Sequence, residues 1–254
     1  MFELRYKGKV SLVFFLMQLF SMTTQGAFAQ NPLNEIYSDV TDKFGIKIAT
    51  NGLGFNYRHI EPFKNKLCQS IDVDFTSLKH PVEKDIINTR LAATRPYIYN
   101  KVNRVYSLRA LLGGQYVFAG RTSKNSVGIS GFAGIGPSFN FVKPVFLDVQ
   151  TVDPNNPNAY IVVSKRYEPE VINPTHIVGN SSYFTGMGQT SINFGMAMKV
   201  GMEFNWGSYS SEYKSIELGV TVDYLPVAPT IIFNKKNKAV FSGFYISFAI
   251  GRNK

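Results

Sequence analysis

The chain has 254 residues, 44% of them hydrophobic and 17% charged, with one cysteine and a formal net charge of +10 at pH 7. A lone cysteine, Cys68, cannot pair within the chain, so disulfides hold nothing together. After Gln30 no run approaches the roughly 18 apolar residues of a membrane helix, although a barrel escapes that scan because its strands alternate.

At the start, Arg5, Lys7 and Lys9 precede an apolar stretch over residues 10–22, and the small-residue site Ala27-Phe28-Ala29 stands before Gln30. This is the pattern of a secretory signal peptide, and about 13 apolar residues fall short of the roughly 20 that span a bilayer. Cleavage after Ala29 is expected, leaving 225 residues as one domain over 30–254. Gln30 rather than cysteine follows the site, which excludes a lipid-modified N-terminal cysteine.

The next elements read as strands. Phe44, Ile46 and Ile48 share one face, while Leu53, Phe55 and Tyr57 continue on the opposite parity, so the chain changes phase at Asn51-Gly52. A hairpin and a single bulged strand both fit. Strands of about seven residues are short for spanning, which favours one bulged strand over 44–58. Residues 66–79 place Leu67, Ile71, Val73 and Phe75 opposite Ser70, Asp72 and Asp74. Further strands are predicted at 104–118, 126–141, 192–206, 213–225 and 240–252. Residues 192–206 alternate without a slip: Ile192, Phe194, Met196, Met198, Val200, Met202, Phe204 and Trp206 oppose Asn193, Gly195, Ala197, Lys199, Gly201, Glu203 and Asn205. Helical spacing fits none of these segments.

Such strands occur in soluble sandwiches and in membrane barrels. Their length of about 11 to 15 residues, against about 5 or 6 in soluble sheets, and a polar face rich in glycine favour a narrow barrel. The predicted fold is all-β, an antiparallel up-and-down transmembrane β-barrel. Bacterial barrels carry an even strand number. The seven strands above therefore imply an eighth, sought in 142–191, where Val145-Phe-Leu-Asp-Val149 and Tyr160-Ile-Val-Val163 flank a turn-rich Asp153-Pro-Asn-Asn-Pro-Asn158. Segments 80–103 and 142–191 are too long for tight turns and are expected as ordered loops that offer partner contacts.

Inward phasing collects Asp72, Asp74, Arg109, Lys199, Glu203, Glu217 and Asp223 into a predicted lumen charge network, paired because single buried charges are costly. An eight-stranded lumen is just wide enough for side chains to fill. Near the C-terminus, Gly243-Phe-Tyr-Ile246-Ser-Phe248 resembles the signal read by the outer-membrane insertion machinery: a glycine, Gly243, with apolar residues Ile246 and Phe248 at the third and fifth positions after it.

The stretches Gly52-Leu-Gly-Phe-Asn-Tyr-Arg-His59, Lys79-His-Pro-Val-Glu83, Tyr97-Ile-Tyr-Asn-Lys-Val-Asn103 and Gly136-Pro-Ser-Phe-Asn-Phe-Val-Lys-Pro-Val-Phe-Leu-Asp148 resemble small outer-membrane β-barrel, porin-family-like proteins of the Bacteroidota. The similarity spans most of the residues after Gln30. It implies an outer-membrane location and the barrel fold, transfers no catalytic motif, and leaves open a part in envelope assembly or secretion machines.

Removing the signal, with its three basic and one acidic residues, takes the charge from +10 to +8. Outside the cytoplasm the anions on offer are lipopolysaccharide phosphates and acidic partners, not nucleic acid. Asn234-Lys-Lys-Asn-Lys238 forms a basic loop cluster, more simply read as a solvated turn. Some small barrels edit lipid A with a histidine base near a serine and an acid. Here His59, His80 and His176 are scattered, and each is expected as an ordinary loop or strand-end histidine. Gly131, Gly134 and Gly136 lie in a strand with no following helix, so no phosphate loop is read. No catalytic, cofactor or metal residues are therefore predicted. The expectation is a non-enzymatic outer-membrane barrel, a structural or partner-binding component of an envelope assembly or secretion machine, in contact with outer-membrane lipid and lipopolysaccharide and with an envelope protein complex as a further partner. A narrow channel or transport accessory is the first alternative, and a lipid A-modifying enzyme the second.

Overall fold

The protein, described from a computed structural model, is defined over residues 40–253 apart from 65, 81, 92–93, 121–125, 171, 208–211, 234 and 236–237. The predicted signal peptide over 1–29 lies outside the described residues. Thirteen strands follow in chain order: β1 Thr41–Ala49, β2 Gly52–Lys64, β3 Leu67–Leu78, β4 Asp85–Ile86, β5 Tyr97–Ile98, β6 Asn103–Ala119, β7 Gly128–Pro144, β8 Phe146–Asp153, β9 Asn156–Arg166, β10 Ile177–Asn180, β11 Ser191–Gly207, β12 Glu212–Tyr224 and β13 Val240–Asn253. Eight of them close a barrel in the order β1-β13-β12-β11-β7-β6-β3-β2. Every pair is antiparallel, each barrel strand lies beside its successor, and β13 returns to β1 with Ile46 opposite Phe248. This is an up-and-down barrel with no free edge, so each of its eight strands finds backbone partners on both sides.

The total of eight matches the expectation, but two of the strands are not where the sequence reading put them. Residues 44–58 are two strands rather than one bulged strand. Ala49 pairs with Gly52 across the two-residue connection Thr50–Asn51, and Phe44 pairs with Tyr57. The hairpin is feasible because the strands outrun their apolar cores, β1 beginning at Thr41 and β2 running on to Lys64. Gly52 sits at φ +152°, and a Cβ there would lie 1.8 Å from the Ser77 carbonyl oxygen, so this corner needs glycine.

Segment 142–191 correspondingly gives the barrel no extra strand of its own. Beyond the ends of β7 and β11 it forms a separate three-stranded sheet in the order β10-β8-β9. The turn-rich stretch at 153–158 is the turn and start of the β8–β9 hairpin, with Asp153 opposite Asn156.

The connections sort to two ends. At one end β2–β3, β6–β7 and β11–β12 are joined by short links. At the other lie the Thr50–Asn51 turn and the segments 79–102, 145–190 and 225–239. That second end is roofed. Leu78, Val105, Val142, Leu225 and Phe241 from the strand ends pack with Ile231 and Ile232 of the overlying segment into one apolar layer. Above it Tyr97, Val145, Leu147, Val149, Tyr167, Ile172 and Ile177 form a second core.

The barrel is inside out relative to a soluble one. Phe44, Phe194 and Phe244 are 65%, 68% and 71% exposed on the outer wall, whereas Lys47, Asp74, Glu203 and Asp223 inside are 0% exposed. Close packing leaves little room for inward side chains: a Cβ on Gly136 would come within 2.0 Å of the Ala110 carbonyl oxygen.

Candidate functional site

Two features of the molecule are built by residues distant in sequence: the lumen network and the roof of loops. In the lumen, all seven residues expected there, Asp72, Asp74, Arg109, Lys199, Glu203, Glu217 and Asp223, are buried. Lys43, Lys47 and Arg58 join them, giving five cations against five carboxylates within the described interior. Arg109 Nε and Nη2 grip Asp223 at 2.6 and 2.8 Å, while Nη1 reaches Asp74 at 2.6 Å. Lys47 also pairs with Asp74, and Lys43 with Glu203. Arg58 bridges Asp72 at 2.6 Å and Glu217 at 2.9 Å. Lys199 contacts the same two carboxylates at 2.8 and 2.9 Å. Lys199 also lies 3.8 Å from Asp74 and Lys43 lies 3.5 Å from Glu217, so the chain of contacts runs unbroken from Asp223 to Glu203 around the interior.

Aromatic groups the sequence reading passed over complete it. Phe132 and Tyr245 share the inward parity of the charged residues. The Arg58 guanidinium lies 3.9 Å from the Phe132 ring centre, and Tyr245 Oη donates to Glu217 at 2.7 Å. Gln115 Nε2 donates to Ser130 at 2.7 Å and to Glu203 at 3.2 Å. The lumen space bounded by Arg58, Asp72, Phe132 and Lys199 is about 10 Å³, roughly that of a single water.

The roof is ordered by contacts between loops. Asn88 Nδ2 donates to the carbonyls of Thr175 and Ile177 at 2.9 Å each, and Asn180 Nδ2 to that of Pro96 at 2.9 Å. The Val102 amide donates to Ile231 at 3.0 Å and the Phe233 amide to Asn100 at 2.8 Å. Glu83 pairs with Lys101 beneath the roof. Burial, partly countered by Glu83, holds the Lys101 ammonium below its usual range, and burial raises the Tyr167 phenol. The outer strand β9 is exposed along its length and presents Tyr160 and Val162 to solvent.

The histidines do not meet. His59 lies near the short-link end of β2, its ring nitrogens 2.6 Å from Asp42 and 3.1 Å from Glu61, with no serine hydrogen-bonded to the ring among the described residues. His80 is in the 79–102 segment, where burial and the Lys238 and Lys235 charges keep its ring below the usual range. His176 ends the short 3-10 turn Pro174–His176. In the basic cluster, residues 234, 236 and 237 lie outside the described residues. Ile246 and Phe248 of the insertion-signal pattern point outward, 56% and 46% exposed, and Gly243 faces inward against Asn51.

Neither a family model nor a curated protein matches this chain. Among solved structures it is similar to neisserial surface protein A, at 14% identity over 85% of this chain and 96% of that one, with a TM-score of 0.34. It is similar to Ail, the attachment invasion locus protein of Yersinia pestis, at 11% identity over 85% and 97%, with a TM-score of 0.34. The N-terminal beta-barrel domain of Pseudomonas aeruginosa OprF aligns at 7% identity over 87% of this chain and 100% of that domain, with a TM-score of 0.34. The barrel assignment rests on this chain's own closed strand order.

Proposed function

We propose that this chain is a non-enzymatic integral outer-membrane barrel whose roof of loops binds another envelope component, as part of an assembly or secretion machine. One observation carries the reading: the wall exposes a continuous apolar band while ten charged side chains are sealed inside. Water would reject that arrangement, because exposed apolar patches on soluble monomers rarely exceed a few hundred Å². Lipid favours it. Short links at one end and long loops at the other support a roof on the cell exterior, the pattern of bacterial barrels generally. The export pattern at the N-terminus and the Gly243, Ile246, Phe248 pattern on β13 fit delivery to the insertion machinery.

A channel is disfavoured by the filled lumen and the apolar layer beneath the roof. An enzyme is disfavoured by the separation of the three histidines. Ordered loops on a rigid scaffold are where binding concentrates. The test is complementation of a deletion strain. Replacing His59, His80 and His176 together by Asn is expected to preserve the cellular role, whereas removing residues 152–182 is expected to abolish it with the barrel still inserted. Loss of function in an inserted triple-histidine variant would overturn the non-enzymatic reading.

A further inference from the structure

The outer wall at the roofed end changes character row by row across β3, β6, β7 and β11. Phe75, Leu108, Phe139 and Phe194 lie side by side in one register row. The next row toward the roof holds Ser77, Tyr106 and Phe141. The row after that is cationic: Arg104 is directly opposite Lys143. Lys79 follows Leu78, which pairs with Val105, so it falls beside Arg104 with the outward parity of Phe75 and Ser77. Like charges placed opposite one another destabilise a sheet. Among the described residues no carboxylate pairs with Lys79, Arg104 or Lys143, and the nearby Glu83 is committed to Lys101.

The cations are instead mounted on aromatic groups. Arg104 lies 5.9 Å and the Lys143 ammonium 4.6 Å from the Tyr183 ring centre, and Tyr183 Oη donates to Tyr106 Oη at 2.9 Å. Lys143 is also held by the Tyr183 carbonyl and is 6% exposed, while Lys79 is exposed and Arg104 half-buried. A cation row with no carboxylate partner among the described residues, an aromatic row beneath it and an apolar row below that match the profile of a bilayer from headgroup to acyl chain.

We propose that Lys79, Arg104 and Lys143 form a binding site for a lipid phosphomonoester in the roof-side leaflet, with the lipid's acyl chain along Phe75, Leu108, Phe139 and Phe194. This rests on the membrane reading above and adds the ligand class and its position. A phosphomonoester carries close to two negative charges at neutral pH. It supplies the counter-charge this row lacks, and Arg104 presents a planar fork suited to its oxygens. Lys143, beneath Tyr183, contributes charge from behind rather than direct contact. The apolar rows select an amphiphile over the free anion.

The experiment uses the full chain inserted in phosphatidylcholine vesicles, with insertion read by heat-modifiable gel migration. The same chain, purified in uncharged detergent, is titrated with dihexanoyl phosphatidic acid, dihexanoyl phosphatidylcholine and inorganic phosphate. Phosphatidic acid is expected to bind at least about tenfold more tightly than either comparator. The double variant Lys79→Gln, Arg104→Gln is expected to lose about 30-fold, at roughly fivefold per surface cation. Lys214→Gln, on the outer wall at the opposite end, is expected to leave binding unchanged. Equal affinity for inorganic phosphate, equal affinity for the choline lipid, or an unaffected double variant would each overturn the site while leaving the membrane reading intact. A chain that never inserts into the vesicles would overturn both.

Discussion

Met198 and Lys199 are neighbours in the chain and opposites in environment. Met198 is 48% exposed on the wall, and Lys199 is 1% exposed between Asp72 and Glu217. Met198→Arg is expected to cost about 2 to 4 kcal/mol of insertion free energy, the penalty for a basic group near the bilayer midplane. Lys199→Met is expected to cost about 3 to 5 kcal/mol by a different route, because two buried carboxylates lose a cation. A urea titration of folding into vesicles measures both. Adding Asp72→Asn to Lys199→Met should recover part of the loss, since the second change removes a charge the first left unpaired. Strictly additive costs would contradict the network. The charged members of that network were legible as the polar face of each strand, because alternation alone assigns a face. Phe132 and Tyr245 were not, since an aromatic residue on a polar face reads as a phase slip until a guanidinium or a carboxylate is found against it. Lys47 and Arg58 lie on the polar face of the predicted 44–58 strand and Lys43 just ahead of it, yet the phase change at Asn51-Gly52 left that segment without an assigned inward face.

At the level of elements, that merger is instructive. Alternation locates strands well but counts them poorly where a two-residue turn preserves an apolar pattern on both sides. Asn51-Gly52 carried the hairpin signal, and apparent shortness argued against it. The strands proved long enough once residues 41–43 and 59–64, which do not continue the apolar alternation, were included. Gly52→Val is therefore expected to destabilise the barrel by roughly 1 to 3 kcal/mol, through its positive φ and the Ser77 carbonyl behind it. Equilibrium unfolding in detergent measures this, and a neutral result would return the bulged-strand reading to favour. The roof was legible only as two long segments. Its sheet depends on contacts such as Asn88 with Thr175 and Asn180 with Pro96, which join residues more than 80 positions apart and leave no local pattern. Because residues 152–182 lie outside all eight barrel strands, their deletion is expected to leave heat-modifiable migration intact.

For the molecule as a whole, the interior and the wall make separate demands. With five cations and five carboxylates interlocked and an apolar layer under the roof, the barrel is expected to show no steady ion conductance in planar bilayers. Stable conductance steps from the purified chain would favour the channel alternative. The central claim is that the apolar wall faces lipid, and β11 offers its most direct test. Spin labels placed one at a time along residues 192–206, in a Cys68→Ser background and in vesicles, report accessibility to oxygen and to a water-soluble nickel complex. The account predicts a period of two: even-numbered positions from 194 to 204 open to oxygen and closed to nickel, odd-numbered positions closed to both. Nickel access at Met196, Met198 and Val200, as on the surface of a water-soluble barrel, would contradict it.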